Sequence, residues 1–347
     1  MSDVALYRKY RPTAFKDVLG QDHVITALKG AIDEDNVGHA YLFYGSRGTG
    51  KTSIARIFAH ELGAQDVDIH EIDAASYTGV DDIRAIREEA QNLPFASARS
   101  IYIVDEVHML SKSAFNAFLK MLEEPPSHVV FILATTELEK VPDTVQSRCQ
   151  VFTFKKPSQK VVAEMVAKVS KAEGFTLEKA SAELVGLLAS GSFRDAHSIL
   201  QKIIASSADK KISLEEVEQI TGAPKSELVA QVIEGLAEGS AEKALSAVGK
   251  AVEGNADMEI FTTILLDRVR TVLLIRYAPT MGKTLASDLT DDVQTALVKF
   301  AEDSTSKINS ETLKKLIEAA VASSRSPVAH LPLELAIMEL STQPPNK

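Results

Sequence analysis

The sequence predicts an α/β domain with a parallel sheet, followed by all-α domains. A glycine-rich loop stands between a short apolar run and a helical segment, and further apolar runs of strand length alternate with helical patterns. This alternation is typical of a parallel sheet that helices cover on both faces. From Pro157 onward no strand pattern remains, and apolar residues recur with helical spacing. We therefore expect the α/β domain at 1–156 and helical domains at 157–222 and 223–347.

The composition is that of a globular protein with room for two or three domains. The chain has 347 residues, of which 45% are apolar and 25% are charged. Its apolar runs are too short to span a membrane and its N-terminus lacks a signal region, so we expect a cytoplasmic protein. The net charge of −10 opposes a nucleic-acid-binding role for the whole surface but permits a local basic lining. Cys149 is the only cysteine, which excludes an intrachain disulfide and a cysteine zinc site.

The glycine-rich loop fits the phosphate-binding pattern G-x-x-x-x-G-K-[ST] in the strand–loop–helix setting that this pattern requires. Its glycines allow backbone N–H groups to surround a phosphate without Cβ clashes. Its lysine supplies a charge for the β- and γ-phosphates, and its threonine supplies a hydroxyl for Mg²⁺. A glycine-rich surface turn is the alternative, but it would not explain the flanking strand and helix. The residues that we expect to hold the nucleotide are Gly45, Ser46, Arg47, Gly48, Thr49, Gly50, Lys51, Thr52 and Ser53.

A second motif is the apolar run 100–104, which ends in the two carboxylates Asp105 and Glu106. An aspartate at this place can simply cap a following helix. Together with the phosphate-binding loop upstream, however, the pair predicts a metal ligand at Asp105, beside Thr52, and a general base at Glu106. We expect His108 to pack or form hydrogen bonds locally rather than to act in catalysis.

Three further positions carry alternatives. Thr135 and Thr136 end another apolar run, where they either contact the γ-phosphate and the attacking water or serve only as strand formers. Arg148 is either a surface ion-pair partner or an arginine finger that reaches a neighbour's nucleotide. Arg194 opens a predicted helix, where the helix dipole disfavours a positive charge. That position fits an arginine that contacts an anion, and a solvated side chain is the alternative.

These motifs together resemble the family of gamma and tau subunits of bacterial DNA polymerase III, which are AAA+ ATPases of the sliding-clamp loader. The resemblance is dense over residues 5–155 and continues to about residue 205. Besides the phosphate-binding loop, it rests on Tyr10-Arg11-Pro12, Gly20-Gln21, Asp105-Glu106-Val107-His108-Met109-Leu110, Leu122-Glu123-Glu124-Pro125-Pro126, Ala134-Thr135-Thr136-Glu137, Ser147-Arg148-Cys149 and Gly191-Ser192-Phe193-Arg194-Asp195-Ala196.

The resemblance implies a P-loop AAA+ domain, a small helical lid domain and a C-terminal helical collar domain. It implies that Lys51, Glu106 and Thr136 act in ATP hydrolysis, with Thr136 as the sensor that follows the strand, and that Arg148 acts on the neighbouring subunit. The residues that it adds to the nucleotide contacts are Tyr10, Arg11 and Val18 near the adenine, Thr135 beside the sensor, and Arg194 from the lid.

The resemblance also implies a function and partners. The chain would be an ATP-hydrolysing motor subunit that loads the sliding clamp onto primed DNA, using ATP and Mg²⁺. Its partners would be other copies of itself in a ring, the delta and delta-prime loader subunits, the clamp and primer–template DNA, without a membrane.

The chain departs from the family at two places. Family members commonly carry a zinc module with several cysteines after the P-loop helix, whereas residues 59–72 are short and cysteine-free, so we expect no zinc. The sequence closes at Pro344-Pro345-Asn346-Lys347, directly after the predicted collar, which resembles the short gamma form rather than the longer tau form.

Three other functions compete with this interpretation. A Holliday-junction branch-migration motor shares the AAA+ motifs but needs a winged-helix domain, which the helical C-terminal region opposes. A small subunit of replication factor C would perform the same task but differs in motif detail. A non-hydrolysing structural subunit like delta-prime would not need the intact set Lys51, Thr52, Asp105 and Glu106.

Overall fold

The computed structural model describes residues 4–207, 209–286, 289 and 291–342. The chain divides into two compact units, of which the first comprises Met1–Val162 and Gly191–Ser198 and the second Ala163–Ser190 and Ile199–Lys347. The boundaries predicted at 156/157 and 222/223 stay predictions. The sequence end Pro344–Lys347, on which the expectation of a short form rests, lies outside the described residues.

The first unit is built on a five-stranded parallel sheet with the strand order β2-β3-β4-β1-β5. Its central strands are buried on both faces, which explains why they appear in the sequence as continuous apolar runs. The strands are β1 (Ala40–Tyr44), β2 (Ile69–Asp73), β3 (Ser100–Asp105), β4 (Val129–Thr135) and β5 (Gln150–Thr153).

Alternate residues of these strands enter two different cores. On one face, Leu42 and Phe131 belong to a cluster formed with the helices that flank β3. On the other face, Tyr41, Phe43 and Ile132 pack with the helices that flank β1. The helices of this unit are α1 (Leu6–Lys9), α2 (Asp22–Asp33), α3 (Lys51–Glu61), α4 (Val80–Glu89), α5 (Lys112–Glu123) and α6 (Asp143–Gln146).

The second unit is helical around one large apolar core. Half of the residues of its long helix Met258–Tyr277 are buried, which fits a helix that packs against neighbours on several sides. Two helices, α7 and α9, contribute residues to both units. The helices from here to the end of the described chain are α7 (Gln159–Ala172), α8 (Lys179–Leu188), α9 (Phe193–Ser206), α10 (Leu214–Thr221), α11 (Ser226–Glu238), α12 (Ala241–Glu253), α13 (Met258–Tyr277), α14 (Pro279–Ala286), α15 (Asp291–Glu302), α16 (Ser310–Ser323) and α17 (Leu331–Thr342).

Two details differ from the sequence prediction. The expectation of no strand after Pro157 was wrong, because β6 (Thr176–Leu177) pairs in parallel with β7 (Lys211–Ile212). Each of these strands has two residues, too few to show an alternating pattern. The sequence analysis also missed α14, which begins at Pro279 directly after α13. A proline is favourable in the first turn of a helix, so here it starts an element instead of ending one.

Among the described residues, no helix combines the length and the apolar character needed to cross a lipid bilayer.

We predict that Phe131→Ala destabilises the first unit by about 3–5 kcal/mol, because it leaves a cavity in a core that cannot fully relax. Phe131 is fully buried, and its ring lies 5.6 Å from that of Tyr102 and 5.2 Å from that of Phe118. Urea unfolding followed by circular dichroism measures the change. Val151→Ala on the edge strand is the control, since Val151 is 44% exposed, and an equal effect of both variants would contradict the assignment of the core.

Candidate nucleotide-binding site

The predicted site residues of the phosphate-binding loop, β3 and β4 meet at the carboxyl edge of the sheet. The phosphate-binding loop follows β1, Asp105 ends β3 and Thr135 ends β4, and these three strands are neighbours in the order β3-β4-β1. Because parallel strands end at the same edge, three segments that are far apart in sequence become adjacent there. This edge is where open parallel sheets bind ligands.

The loop adopts a conformation that glycine alone tolerates at two positions. A Cβ on Gly45 would lie 2.6 Å from the carbonyl oxygen of Phe154. Gly48 has a φ of +75°, and a Cβ there would collide with the hydroxyl of Ser192. The loop leads into α3 at Lys51, so the N-terminus of this helix faces the cradle formed by the loop. This geometry fits a bound phosphate chain.

Lys51 is held by the loop itself. Its buried Nζ donates to the carbonyl oxygens of Gly45 at 2.7 Å and Ser46 at 3.0 Å. Burial lowers the pKa of Lys51, and the carboxylates of Glu106 and Asp105 oppose this effect. The ammonium group therefore lies at the place where a phosphate would offer it stronger partners than neutral carbonyls.

Two oxygen ligands suited to a hard cation lie side by side. The Thr52 hydroxyl donates to Asp105 Oδ2 at 2.7 Å, and Asp105 Oδ1 accepts the backbone N–H of Glu106 at 3.0 Å. Within the part of the chain that the structure describes, no three His, Cys, Asp or Glu side chains form a group that could hold a metal alone. A hydroxyl and one carboxylate fit Mg²⁺, which takes few protein ligands and completes its shell with water and phosphate oxygens.

Glu106 has an unusual backbone for a non-glycine residue. Its φ of 49° and ψ of 44° place it in the left-handed region, a strained conformation that often occurs at functional sites. Its carboxylate Oε2 accepts a hydrogen bond from the Thr136 hydroxyl at 3.3 Å and lies 3.5 Å from His108 Nδ1. No pattern in the sequence predicts this link between the two strand ends.

Thr135 and Thr136 are not equivalent. The Thr135 side chain is fully buried and its hydroxyl contacts Glu137 and His108, whereas the Thr136 hydroxyl faces Glu106. The structure thus brings Thr136 next to the predicted general base and directs Thr135 into the protein.

Arg194 lies beside the loop, within the first unit. Its guanidinium is 5.0 Å from the centre of the Tyr7 ring, and the backbone N–H of the preceding residue, Phe193, donates to Gly48 O at 2.9 Å. Tyr7 belongs to the short helix α1, whose Leu6 is buried.

Tyr10 and Arg11 lie close to the same segment. The Tyr10 ring stacks on His197 with ring centres 6.4 Å apart. Burial and the neighbouring Arg56 guanidinium lower the pKa of Arg11, the Glu71 carboxylate opposes this effect, and Arg194 and Arg8 lower the pKa slightly further. Arg56 pairs with Glu71, and the other arginines supply positive charge that fits an anionic ligand. Val18 is half-buried after a short 3₁₀ turn, Phe15–Asp17.

Arg148 is not part of this constellation. Its guanidinium is partly exposed, donates to Thr144 O at 2.8 Å and pairs with Glu123 Oε1 at 2.8 Å. The next residue, Cys149, packs against the core between the sheet and α5, and burial raises the pKa of its thiol to about 12.

The sequence analysis assigned no role to Gln21 or Ser192, although both shape the loop. Gln21 is fully buried and its amide donates to Lys155 O at 2.7 Å and accepts from Lys155 N at 3.1 Å. Ser192 lies against Gly48. Both residues belong to motifs on which the family resemblance rests, Gly20-Gln21 and Gly191-Ser192. No local sequence pattern, however, predicts that Ser192 contacts the phosphate-binding loop or that Gln21 binds the backbone of Lys155.

Comparison with known proteins adds two family matches and several relatives. Residues 63–158 match the family model for the delta subunit of DNA polymerase III, and residues 212–346 match that for domain III of the gamma and tau subunits.

The tau subunit of Bacillus subtilis DNA polymerase III is 38% identical over 313 residues, which cover 84% of this chain and 55% of that protein. The gamma/tau subunit of Mycobacterium tuberculosis (strain H37Rv) is 34% identical over 342 residues, covering 92% and 58%. The chain thus spans about half the length of the curated relatives it matches.

Among solved structures, the RuvB Holliday junction branch migration motor of Thermotoga maritima matches with a TM-score of 0.52 at 19% identity, covering 84% of this chain and 90% of that chain. At this identity the likeness concerns the fold alone. It confirms the predicted fold class, a parallel-sheet domain with additional helices.

We predict that Gly48→Ala destabilises the first unit by about 1–2 kcal/mol or more, because alanine is strained at a left-handed φ and its Cβ meets Ser192. Urea unfolding measures the effect. Gly30→Ala is the matched control, because Gly30 lies within α2 with no atom near its added Cβ. We expect this control to be more stable than the unmodified chain by about 0.5–1 kcal/mol. A Gly48→Ala variant as stable as the unmodified protein would contradict the loop geometry.

We predict that Cys149 reacts with a thiol reagent at pH 8 at least about 100-fold more slowly in the folded protein than in urea, because the thiolate is the reactive form. Its pKa is raised from the ordinary value of 9.0 to about 12. The thiol thus loses its proton at a higher pH in the folded state than in the unfolded state. Its contribution to the free energy of unfolding is therefore complete below pH 9 and decreases as the pH rises towards 12. Cys149→Ser should remove that part of the pH dependence, and equal labelling rates in both states would contradict the burial.

Proposed function

Because the chain is homologous to the gamma and tau subunits of bacterial DNA polymerase III, we propose that it is an ATP-hydrolysing motor subunit of the loader that places the sliding clamp on primed DNA. The observation that carries the proposal is the complete set Lys51, Thr52, Asp105 and Glu106 at one edge of the sheet, in a chain that matches these subunits over most of its length. The proposed ATPase would act in the cytoplasm as part of the polymerase holoenzyme.

In this proposal each side chain has a separate task. The loop N–H groups and the N-terminus of α3 bind the phosphate chain, and Lys51 moves from its carbonyl partners to the β- and γ-phosphates. Thr52 and Asp105 hold Mg²⁺, which neutralises charge on the phosphates when bound. Glu106 accepts a proton from the attacking water, and the Thr136 hydroxyl orients that carboxylate. Tyr10, Arg11 and Val18 border the adenine.

Two arginines would complete the site. Arg194 already lies beside the loop, next to Gly48, and would contact the γ-phosphate. Arg148 pairs with Glu123 in the isolated chain and would act in the site of an adjacent subunit of a ring. The active site of one chain would then be incomplete until a second subunit supplies this arginine.

The proposed ring contains further copies of this chain together with delta and delta-prime subunits, joined by the C-terminal helices that we propose form the collar. ATP binding would set the shape of the ring so that it holds an open clamp, and primer–template DNA would trigger hydrolysis and release. The domain boundaries 1–156, 157–222 and 223–347 are proposed for the ATPase, lid and collar domains.

The branch-migration alternative has less support, because RuvB is 19% identical whereas the gamma and tau relatives are 34–38% identical. The match to the delta family model covers residues 63–158, which begin after the phosphate-binding loop. It therefore carries no information about Lys51 or Thr52, on which the distinction from a non-hydrolysing subunit depends.

We expect ATP turnover by the chain assembled with delta, delta-prime and clamp to rise when primed DNA is added. Lys51→Ala should abolish nucleotide binding and turnover, and Glu106→Gln should preserve binding but lower turnover by at least about 100-fold. Arg148→Ala should also preserve binding and lower turnover by a similar factor, because the finger contributes mainly to the transition state. Phosphate release and binding of a fluorescent ATP analogue measure the two quantities.

Arg99→Ala is the matched control for Arg148→Ala. Arg99 precedes β3 at the opposite edge of the sheet and pairs with Asp35 at 3.8 Å, so its loss should leave turnover unchanged. The proposed function would be refuted if primed DNA did not raise ATP turnover and if Lys51→Ala did not lower it. Intact binding without any turnover would favour the structural subunit instead.

A further inference from the structure

We propose that His108 is a positioning residue for Glu106, which holds one oxygen of the general base so that the other can receive the proton of the attacking water. The inference rests on the proposed function, because it assigns a role within the same ATPase site. It starts from three contacts that the His108 ring makes at the end of β3.

The ring lies between two carboxylates and is almost completely enclosed. The His108 side chain is 7% exposed, with Nδ1 3.0 Å from Thr135 Oγ1 and 3.5 Å from Glu106 Oε2, and with Nε2 3.2 Å from Glu137 Oε1. A buried imidazole with acceptors at both nitrogens has a fixed orientation, because rotation would break both contacts.

The hydrogen-bond network identifies which atom donates to which. The Thr135 hydroxyl donates to the carbonyl oxygen of Glu137 at 3.2 Å, and its oxygen accepts from Glu137 N at 3.0 Å. With its only proton used, Thr135 Oγ1 can act towards His108 only as an acceptor. His108 Nδ1 therefore carries a proton and donates to Thr135 Oγ1 at 3.0 Å, and Glu106 Oε2 lies 3.5 Å from the same nitrogen.

Glu106 needs such support more than an ordinary carboxylate. Its left-handed backbone is strained, and the remaining contact of Oε2 is the 3.3 Å hydrogen bond from Thr136. His108 Nδ1 and the Thr136 hydroxyl thus approach the same oxygen from β3 and β4, respectively. Among the described residues, Glu106 Oε1 has no hydrogen-bond partner, which leaves it for the reaction.

The far side of the ring is anchored as well. Glu137 Oε2 pairs with Lys140 at 2.8 Å, and this hydrogen bond lowers the pKa of Glu137. Its other oxygen, Oε1, lies 3.2 Å from Nε2 on the side of the ring away from Glu106. The chain of contacts Lys140–Glu137–His108–Glu106 links the segment after β4 to the base.

Substitution of His108 by asparagine or by glutamine distinguishes the roles of the two ring nitrogens. The asparagine amide nitrogen replaces Nδ1, and the longer glutamine side chain places its nitrogen near Nε2. Because the proposed role belongs to Nδ1, asparagine should substitute for histidine whereas glutamine should not.

We expect His108→Ala to lower kcat of the assembled, DNA-stimulated loader by about 10- to 100-fold while the Kd for an ATP analogue changes less than about twofold. His108→Asn should remain within about threefold of the unmodified kcat, and His108→Gln should resemble His108→Ala. The matched control is His128→Ala at the opposite edge of the sheet, where the His128 ring forms hydrogen bonds with the backbone carbonyls of Ala90 and Asn92. This control should not change kcat.

The double variant with Glu106→Gln tests whether His108 acts through Glu106. In that background His108→Ala should lower the residual rate less than about twofold, because the base is already lost. The inference would be overturned if His108→Ala lowered kcat by the same factor with and without Glu106→Gln. It would also be overturned if His108→Ala left kcat unchanged, or if glutamine but not asparagine restored kcat.

Thermal unfolding of every variant shows whether the protein folds. Should His108→Ala fail to fold, the comparison of asparagine with glutamine decides alone. If the unmodified loader hydrolyses ATP and Glu106→Gln abolishes this activity while the His108 variants have no effect, only the positioning role fails. If Glu106→Gln retains full turnover, the proposed function fails with it.

Discussion

The parallel pairing of β4 with β1 and β3 is the constraint on which the whole candidate site depends. In this register Tyr44 lies opposite Thr135, and Val104 lies opposite Leu133. The loop, the acidic pair and the threonines therefore leave the sheet at the same level. A slip of β3 by one residue would turn every side chain to the other face and separate Asp105 from Thr52. The apolar residues that fill two different cores prevent such a slip, so hydrophobic packing fixes the position of the polar groups.

The second feature of the site is that its strain is held by ordinary hydrogen bonds. A left-handed glutamate costs about 1–3 kcal/mol, which the surrounding structure must offset. The backbone oxygen of Asp105 accepts from Ala74 N at 2.9 Å, and its side chain accepts from Glu106 N at 3.0 Å. Both bonds fix the chain just before the strained residue. The carboxylate of Glu106 thereby leaves the direction of β3 and turns towards Thr136 on the neighbouring strand.

The sequence was sufficient for the parts of the site that short patterns specify. The loop and Asp105-Glu106 could be predicted because each is a contiguous motif at the end of an apolar strand. The distinction between Thr135 and Thr136 could not be derived from the residues, since it depends on which hydroxyl leaves the sheet towards Glu106. The contact of Ser192 with Gly48 and the β6–β7 pair were missed for a related reason: both join segments distant in sequence, and neither has a periodicity of its own.

The contacts of Arg148 are compatible with the role that the proposed ring would give it. A partly exposed ion pair such as Arg148–Glu123 contributes only about 0.2–1 kcal/mol. A triphosphate offers the guanidinium several charged oxygens in a site from which water is excluded, where each contact is worth more. Exchange of Glu123 for a phosphate would therefore be favourable once a neighbour brings its nucleotide within reach. Until then the guanidinium stays on its own subunit, where it donates to Thr144 O and pairs with Glu123.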